Sequence, residues 1–435
     1  MKNLTKISIV LLGMTAVLGA CSSLIPVSAP TVRPEFILNV PIEDVTTLEQ
    51  LTQTYGAQTL ERNTETGQVL VGMTEAQASA YNAVLRPSSA GRNGRAESNR
   101  GTFRGGAITA SMGGSRSAWV GGEICAWSGG SRSAWVGGQY APVLQNTTAF
   151  QQIRLESAHR IAPKLGLGIK VAIIDTGIDT SHPAFAGMLA PSSEWRDFVD
   201  GDTWPQEQGV LGTGGFGHGT AVAGLVAQVA PNATLLPIRV LGVDGSGDTL
   251  NVAQAIDWAV AKGSRVINLS LGSTERSKVV QDAIKRAKDK KVFVVSSAGN
   301  ENLEALTFPA ADADGSEGNH ALSVGSVDAQ ALKSSFSNFD EDLEIVAPGE
   351  GLFTAGPGRL LLSWSGTSMA APLVTGSLAL ALGQPLSIDS KDVTATLAES
   401  AFDVYNNGMN SAYKDMLGKK GRLDIEQFLK NTIIF

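Results

Sequence analysis

The sequence predicts an α/β protein. A three-layer, doubly wound, mostly parallel sheet is expected over residues 151–435, preceded by a small α+β unit at 34–86. Three observations lead there. From about residue 165 the chain carries continuous apolar runs, "KVAIID", "LLPIRVL", "RVINLSL", "VFVVSSAG" and "ALSVGSV", which suit parallel strands buried on both faces. Between several of them lie helical stretches, "GTAVAGLVAQVA", "TLNVAQAIDWAVAKG" and "SKVVQDAIKRAKDK", and such alternation places helices on both sides of the sheet. Residues 34–86 alternate on a smaller scale: "PEFILNVP" and "GQVLVGM" read as strands, "IEDVTTLEQLTQTYGA" and "TEAQASAYNAVLR" as amphipathic helices. In open parallel sheets, sites form beyond the carboxyl ends of the strands. That is where functional residues are to be sought.

A chain of 435 residues is expected to hold two or three units. Its first twenty residues stand apart. Lys2 and Lys6 precede the apolar run "ISIVLLGMTAVLGA", too short to span a bilayer comfortably and suited to the core of a signal peptide. The run ends in Leu18-Gly19-Ala20-Cys21, which resembles the bacterial lipobox. That resemblance implies an exported protein with a lipid on Cys21, contact with a membrane through it, and a tether over 21–33. An ordinary signal peptide with a chance cysteine is the plainer alternative. With Cys21 acylated, Cys125 is the one thiol left, so no intrachain disulfide is possible. From 87 to 150 the composition turns to Gly, Ser, Arg and Trp, and "GGSRSAWVGG" occurs twice, at 113–122 and 129–138. A duplication within a linker and a Trp-bearing element that packs on a neighbour are both open. The net charge of −7, without a basic run, gives no footprint for nucleic acid.

Three residues invite chemistry. Asp175 ends "KVAIID", and a carboxylate after an apolar strand is costly without partners; its plain reading is a cap for the next turn. His218 lies between Gly217 and Gly219 at the start of a helix. A lone histidine is more often structural, but the glycines are expected to leave this imidazole uncrowded, a base facing solvent. Ser368 stands in "SWSGTSMAAP" among small residues, read either as a tight turn into a helix or as a nucleophile that must meet a substrate. A serine hydroxyl needs an adjacent base, itself oriented by a third group. The competing chemistries fail. "DTG" has no second copy, so an aspartic dyad could survive only in a homodimer, and there is no His-Glu-x-x-His for zinc hydrolysis. The α/β-hydrolase order needs a histidine after the serine, and all four histidines, at 159, 182, 218 and 320, precede Ser368. What remains is Asp175, His218, Ser368 in that order.

With "VAIIDTGID", "GHGTAVAG", "GTSMAAP" and "SSAGNEN", this order resembles the subtilisin-like serine protease family over residues 155–430. The resemblance implies a subtilisin-like catalytic domain and a protein-cleaving serine endopeptidase, with Asp175, His218 and Ser368 as triad. Asn300 and the Ser368 N–H would form the oxyanion hole. Ser270, Leu271 and Gly272 of "VINLSLG", with Gly245 of "GVDGSG", would bind the substrate backbone. It further implies that 34–86 is a prodomain, an intramolecular inhibitor removed by self-processing. A cut between about 140 and 160 would leave the lipid on the prodomain. A permanent accessory domain is the alternative. Departures from the family pattern bear on metal: Ala184 replaces an expected aspartate, and the loop "PNATLL" is short. The family's strong calcium site is therefore expected to be absent, with no cofactor required and weaker calcium sites left open. The rival from another class is a catalytically silent, lipid-anchored binding protein on the same fold.

Overall fold

The computed structural model describes residues 34–63, 68–84, 143–313 and 320–434, with six short strands between 97 and 140. The expected signal peptide and tether, with Cys21, lie outside the described residues. The small unit is formed by β1 (Phe36–Pro41), α1 (Val45–Thr54), β2 (Gln58–Asn63), β3 (Gln68–Met73), α2 (Glu75–Val84) and β4 (Glu97–Ser98). Its antiparallel sheet has the order β2-β3-β1-β4, so the unit draws in residues beyond 86. Strand alternation divides its apolar side chains between two faces. Leu38, Val40, Val69 and Val71 pack with Leu48, Leu51, Ala78 and Tyr81 of the helices. Ile37 and Leu70, on the other face, join the core of the large domain.

Five strands follow: β5 (Thr102–Gly105), β6 (Trp119–Val120), β7 (Cys125–Ala126), β8 (Trp135–Val136) and β9 (Gln139–Tyr140). They are more than a linker. β8 and β9 pair with each other, while β5, β6 and β7 pair with strands of the large domain. That domain begins before 151: Asn146 is fully buried, its amide donating to Phe353 O at 2.7 Å, and Phe150 lies in the core.

The large domain opens with α3 (Thr147–Gln152), α4 (Leu155–Ile161), β10 (Lys170–Asp175), β11 (Arg196–Asp197), α5 (His218–Val229), β12 (Thr234–Arg239), β13 (Ser246–Asp248) and α6 (Thr249–Ala261). β14 (Val266–Leu269), β15 (Leu271–Gly272), α7 (Lys278–Asp289), β16 (Phe293–Ser297) and β17 (Ala321–Val327) continue it. It closes with β18 (Ile345–Pro348), β19 (Leu352–Gly356), β20 (Leu360–Ser365), α8 (Thr367–Leu382), α9 (Val393–Glu399), β21 (Phe402–Asp403), β22 (Gly421–Arg422) and α10 (Ile425–Thr432). The main sheet has the order β11-β12-β10-β14-β16-β17-β18-β22-β21, parallel except for the β21–β22 edge pair.

Alternation along β10 explains the three layers. Val171 and Ile173 face one core, with α5 and α8; Ala172 and Ile174 face the other, with α6 and α7. α8 is apolar nearly all round, and every residue from Thr367 to Ala381 is buried. The doubly wound sheet expected from the sequence is present. It brings the carboxyl ends of three adjacent strands, β10, β14 and β16, into one row.

Candidate active site

Asp175 is the last residue of β10 and is fully buried. A carboxylate there requires donors, and two reach its Oδ1: the Thr176 N–H and His218 Nδ1, each at 2.7 Å. With Nδ1 facing the carboxylate, the imidazole presents Nε2 as its acceptor. His218 Nε2 and Asp175 Oδ2 are buried polar atoms with no hydrogen-bond partner among the described residues. For the histidine, that is what a base awaiting a substrate proton requires.

The imidazole does not face solvent, contrary to expectation; it is fully buried. The indole of Trp364 stands edge-on against it, ring centroids 6.0 Å apart at 78°. β20, which carries Trp364, is in turn paired with β6. The flanking glycines serve backbone approach instead. A Cβ on Gly219 would lie 2.1 Å from Gly177 O and 3.1 Å from Asp175 Cβ, and Gly217 turns the chain into α5 at φ +93°.

A second buried carboxylate, Glu207, holds the start of that helix. Gly217 N–H donates to its Oε2 at 2.9 Å; Thr220 N–H (2.9 Å), Thr220 Oγ1 (3.1 Å) and Thr176 Oγ1 (3.1 Å) donate to its Oε1. The Thr176 hydroxyl also accepts from Gly219 N–H at 2.9 Å. Glu207 therefore ties the turn after Asp175 to the first turn of α5 and occupies the positive end of the helix. Its burial and the charge of Asp175 push its pKa up to about 7, against the pull of its hydrogen bonds to Gly217, Thr220 and Thr176. The loop bearing it is braced by Arg239, whose Nη1 donates to Asp197 at 2.8 Å and Asp200 at 2.7 Å. Sequence reasoning missed Glu207. Its one signal is a lone acid eleven residues before the histidine.

Ser368 lies in the first turn of α8, next to the end of β14. Its Oγ donates to Ser270 O at 3.3 Å, and the Ser270 hydroxyl donates to Ser368 O at 2.8 Å. Asn300 follows β16. Its Oδ1 accepts from Thr367 N–H at 2.8 Å and Thr367 Oγ1 at 3.0 Å, which fixes the amide with its NH₂ as the group turned away from Thr367. Asn338 steadies this loop, its Oδ1 accepting from Glu301 and Leu303 N–H. Leu271 and Gly272 form β15, and a Cβ on Gly272 would meet Thr307 Oγ1 at 2.4 Å. Gly245 sits in the turn before β13, at φ +77°.

Between β13 and β15 lies a third strand from the chain itself. β5 pairs antiparallel with both, Arg104 opposite Ser246 and Gly272, Gly105 opposite Leu271. A buried carboxylate–imidazole pair, a serine at a helix start and an amide nearby are the parts that nucleophilic acyl transfer requires. The groove between β13 and β15 accepts an extended backbone. The described residues contain no cluster of His, Cys, Asp or Glu suited to a metal ion, and no helix long and apolar enough to cross a membrane.

The sequence model of the subtilase family (Peptidase_S8) matches residues 166–420. The chain is similar to thermitase of Thermoactinomyces vulgaris, 36% identical over 268 residues, 59% of this chain and 89% of that protein. It is similar to an alkaline protease of Alkalihalobacillus alcalophilus, 39% identical over 224 residues, 49% of this chain and 54% of that protein. Subtilisin BL of Lederbergia lenta is 38% identical over 224 residues, 49% of this chain and 76% of that protein. The match thus spans about half the length of the alkaline protease.

The raised pKa of Glu207 makes a signed prediction. Between its ordinary value and about 7 the folded chain keeps a proton that the unfolded chain releases, so its contribution to stability is lost as pH rises through that window. Glu207→Gln does not titrate. In a Ser368→Ala background, thermal unfolding of Glu207→Gln should gain on the Glu207 chain by a few kcal/mol between pH 5 and pH 8. A gap that moves the other way would mean that the four donors hold the carboxylate ionised in the fold.

Proposed function

The chain belongs to the subtilase family and is a subtilisin-like serine peptidase, and from that premise we propose an exported, self-processing endopeptidase whose N-terminal unit occupies its own substrate groove. The observation that carries this reading is β5, an extended segment seated between β13 and β15. A substrate peptide takes the same place, pairing its backbone with Ser246–Asp248 and with Ser270 to Gly272.

The chemistry follows from the site. Ser368 Oγ attacks the scissile carbonyl while His218 Nε2 takes its proton. Asp175 holds Nδ1–H and stabilises the imidazolium. The negative oxygen formed on the carbonyl carbon is met by the Asn300 amide and the Ser368 N–H at the positive end of α8. The imidazolium returns its proton to the leaving amine as the C–N bond breaks. Water, activated by the same histidine, then hydrolyses the acyl-enzyme.

β5 runs antiparallel to β15, so its carboxyl end heads toward Ser270, whose hydroxyl touches the backbone of Ser368. The self-cleavage site therefore lies shortly after Gly105, upstream of the 140–160 window expected from the sequence. Such a cut leaves β6 and β7 with the enzyme. It leaves Cys21 and any lipid there with the N-terminal unit, which acts as inhibitor until it departs. The anchor and the export signal rest on residues 1–21 of the sequence.

Calcium is handled by substitution. The position that would supply the family's carboxylate is Ala184, buried in the apolar core. Nearby Asp179 is engaged by Ser181 N–H and Oγ and by Gly358 N–H. These residues do not fit the family's strong calcium site, and no step of the reaction needs one.

Intact mass of the exported wild type and of Ser368→Ala tests the reading. The wild type should lose its chain through a residue shortly after Gly105, and the variant should keep it. Equal masses with no labelling of Ser368 by a phosphonate would overturn the peptidase assignment to this serine. A cut between 140 and 160 would overturn the role given to β5. Asn300→Ala should lower kcat by roughly 10²–10³, with KM little changed, on a soluble peptide substrate. Removing calcium with EDTA should leave the melting temperature of Ser368→Ala unchanged.

A further inference from the structure

The first turn of α8 contains a gap in its hydrogen bonding. In an α-helix the carbonyl of residue i accepts from the N–H of i+4, which for Ser368 is Pro372. Proline has no N–H, and its ring presses on the carbonyl four residues back. The residue whose carbonyl loses its helical donor is the nucleophile itself.

The structure fills that gap from the sheet. The Ser270 hydroxyl donates to Ser368 O at 2.8 Å. It has a single proton, and its direction is imposed: Asn268 Nδ2 donates to Ser270 Oγ at 2.9 Å, so the Ser270 O–H is turned toward Ser368. Asn268 is fixed in turn, because Thr375 Oγ1 donates to its Oδ1 at 2.7 Å. Thr375 lies seven residues after Ser368, two turns along the same face of α8. The relay Thr375, Asn268, Ser270, Ser368 thus leaves the helix, crosses β14 and returns to the helix. Thr375, Asn268 and Ser270 are fully buried.

We propose that Ser270, aimed by Asn268 and Thr375, is a positioning residue for the nucleophile, supplying to the Ser368 carbonyl the hydrogen bond that Pro372 removes. The relay fixes the peptide plane after Ser368 and, with it, the first turn that carries both Oγ and the N–H turned to the oxyanion. Ser270 then acts twice: its backbone borders the substrate groove, and its hydroxyl sets the attacking group. This rests on the serine-peptidase reading, so phosphonate labelling of the processed wild type comes first; failure there removes the reading itself, not the relay alone.

The test is a cycle with Pro372→Ala, which gives the helix back its N–H. In processed enzyme, with active sites titrated by the phosphonate, Ser270→Ala should lower kcat about tenfold with KM within about twofold. Pro372→Ala alone should stay near wild type. The double variant should recover most of the lost kcat, because the restored N–H replaces the missing hydroxyl. Thr375→Val, which frees the Asn268 amide, should lower kcat by a few-fold and be rescued in the same way. A double variant no better than Ser270→Ala, or a loss confined to KM, would overturn the proposal. If Ser270→Ala does not fold, Thr375→Val with and without Pro372→Ala decides on the same criteria.

Discussion

The fully buried carboxylate of Asp175 governs the architecture around it. A charge at the end of a core strand must be met by donors, and the fold meets it with the Thr176 N–H and the His218 imidazole. To bring the imidazole there, the start of α5 must come so close that residue 219 has no room for a side chain. To hold that start, Glu207 takes four hydrogen bonds from the two segments involved. To hold Glu207, its loop is tied to the sheet through Arg239. Two carboxylates thus stand on either side of one helix terminus, whose dipole offsets part of their repulsion.

The N-terminal part of the chain is held to the large domain by a different physics. β5 adds a strand to two short edges, so its hold comes from backbone hydrogen bonds and is tolerant of side-chain identity. The small unit adds an apolar grip, with Ile37 and Leu70 set against α6 and α7. β6 and β7 pair with β20, which leads into the helix that carries Ser368. Edges that would otherwise invite foreign strands are closed by the chain that owns them.

Much of this was legible in the sequence, and the reasons differ by residue. The central strands were visible because each is buried on both faces and so is apolar without interruption. Asp175, His218, Ser368 and Asn300 were visible because each ends or begins such an element in a distinctive small-residue setting. Glu207 was not, since a single acid in a loop looks like solvated surface until the helix it holds is in place. β5 was hidden for a related reason. "TFRG" has neither length nor alternation, and its strand character comes from the edges it joins rather than from its own side chains. Trp364, which packs against His218, is a partner distant in sequence that no local pattern announces. The relay behind Ser368 combines a helix, a strand and a proline; Ser270 and the proline both stood in quoted motifs, but the hydrogen bond that links their roles did not show.

The site is also assembled from widely separated parts of the chain. Asp175 comes from the first long strand of the main sheet, whereas Ser368 rides on α8, the last long helix to be made. The two residues are far apart in sequence, and bringing such distant parts together carries a loop-closure cost that slows folding. A chain emerging from a ribosome therefore passes most of its length before the helix that carries Ser368 is made. During that interval β5 can settle into its groove unopposed. The order of the parts fixes their order of appearance: the strand that fills the groove is synthesised before the helix that carries Ser368.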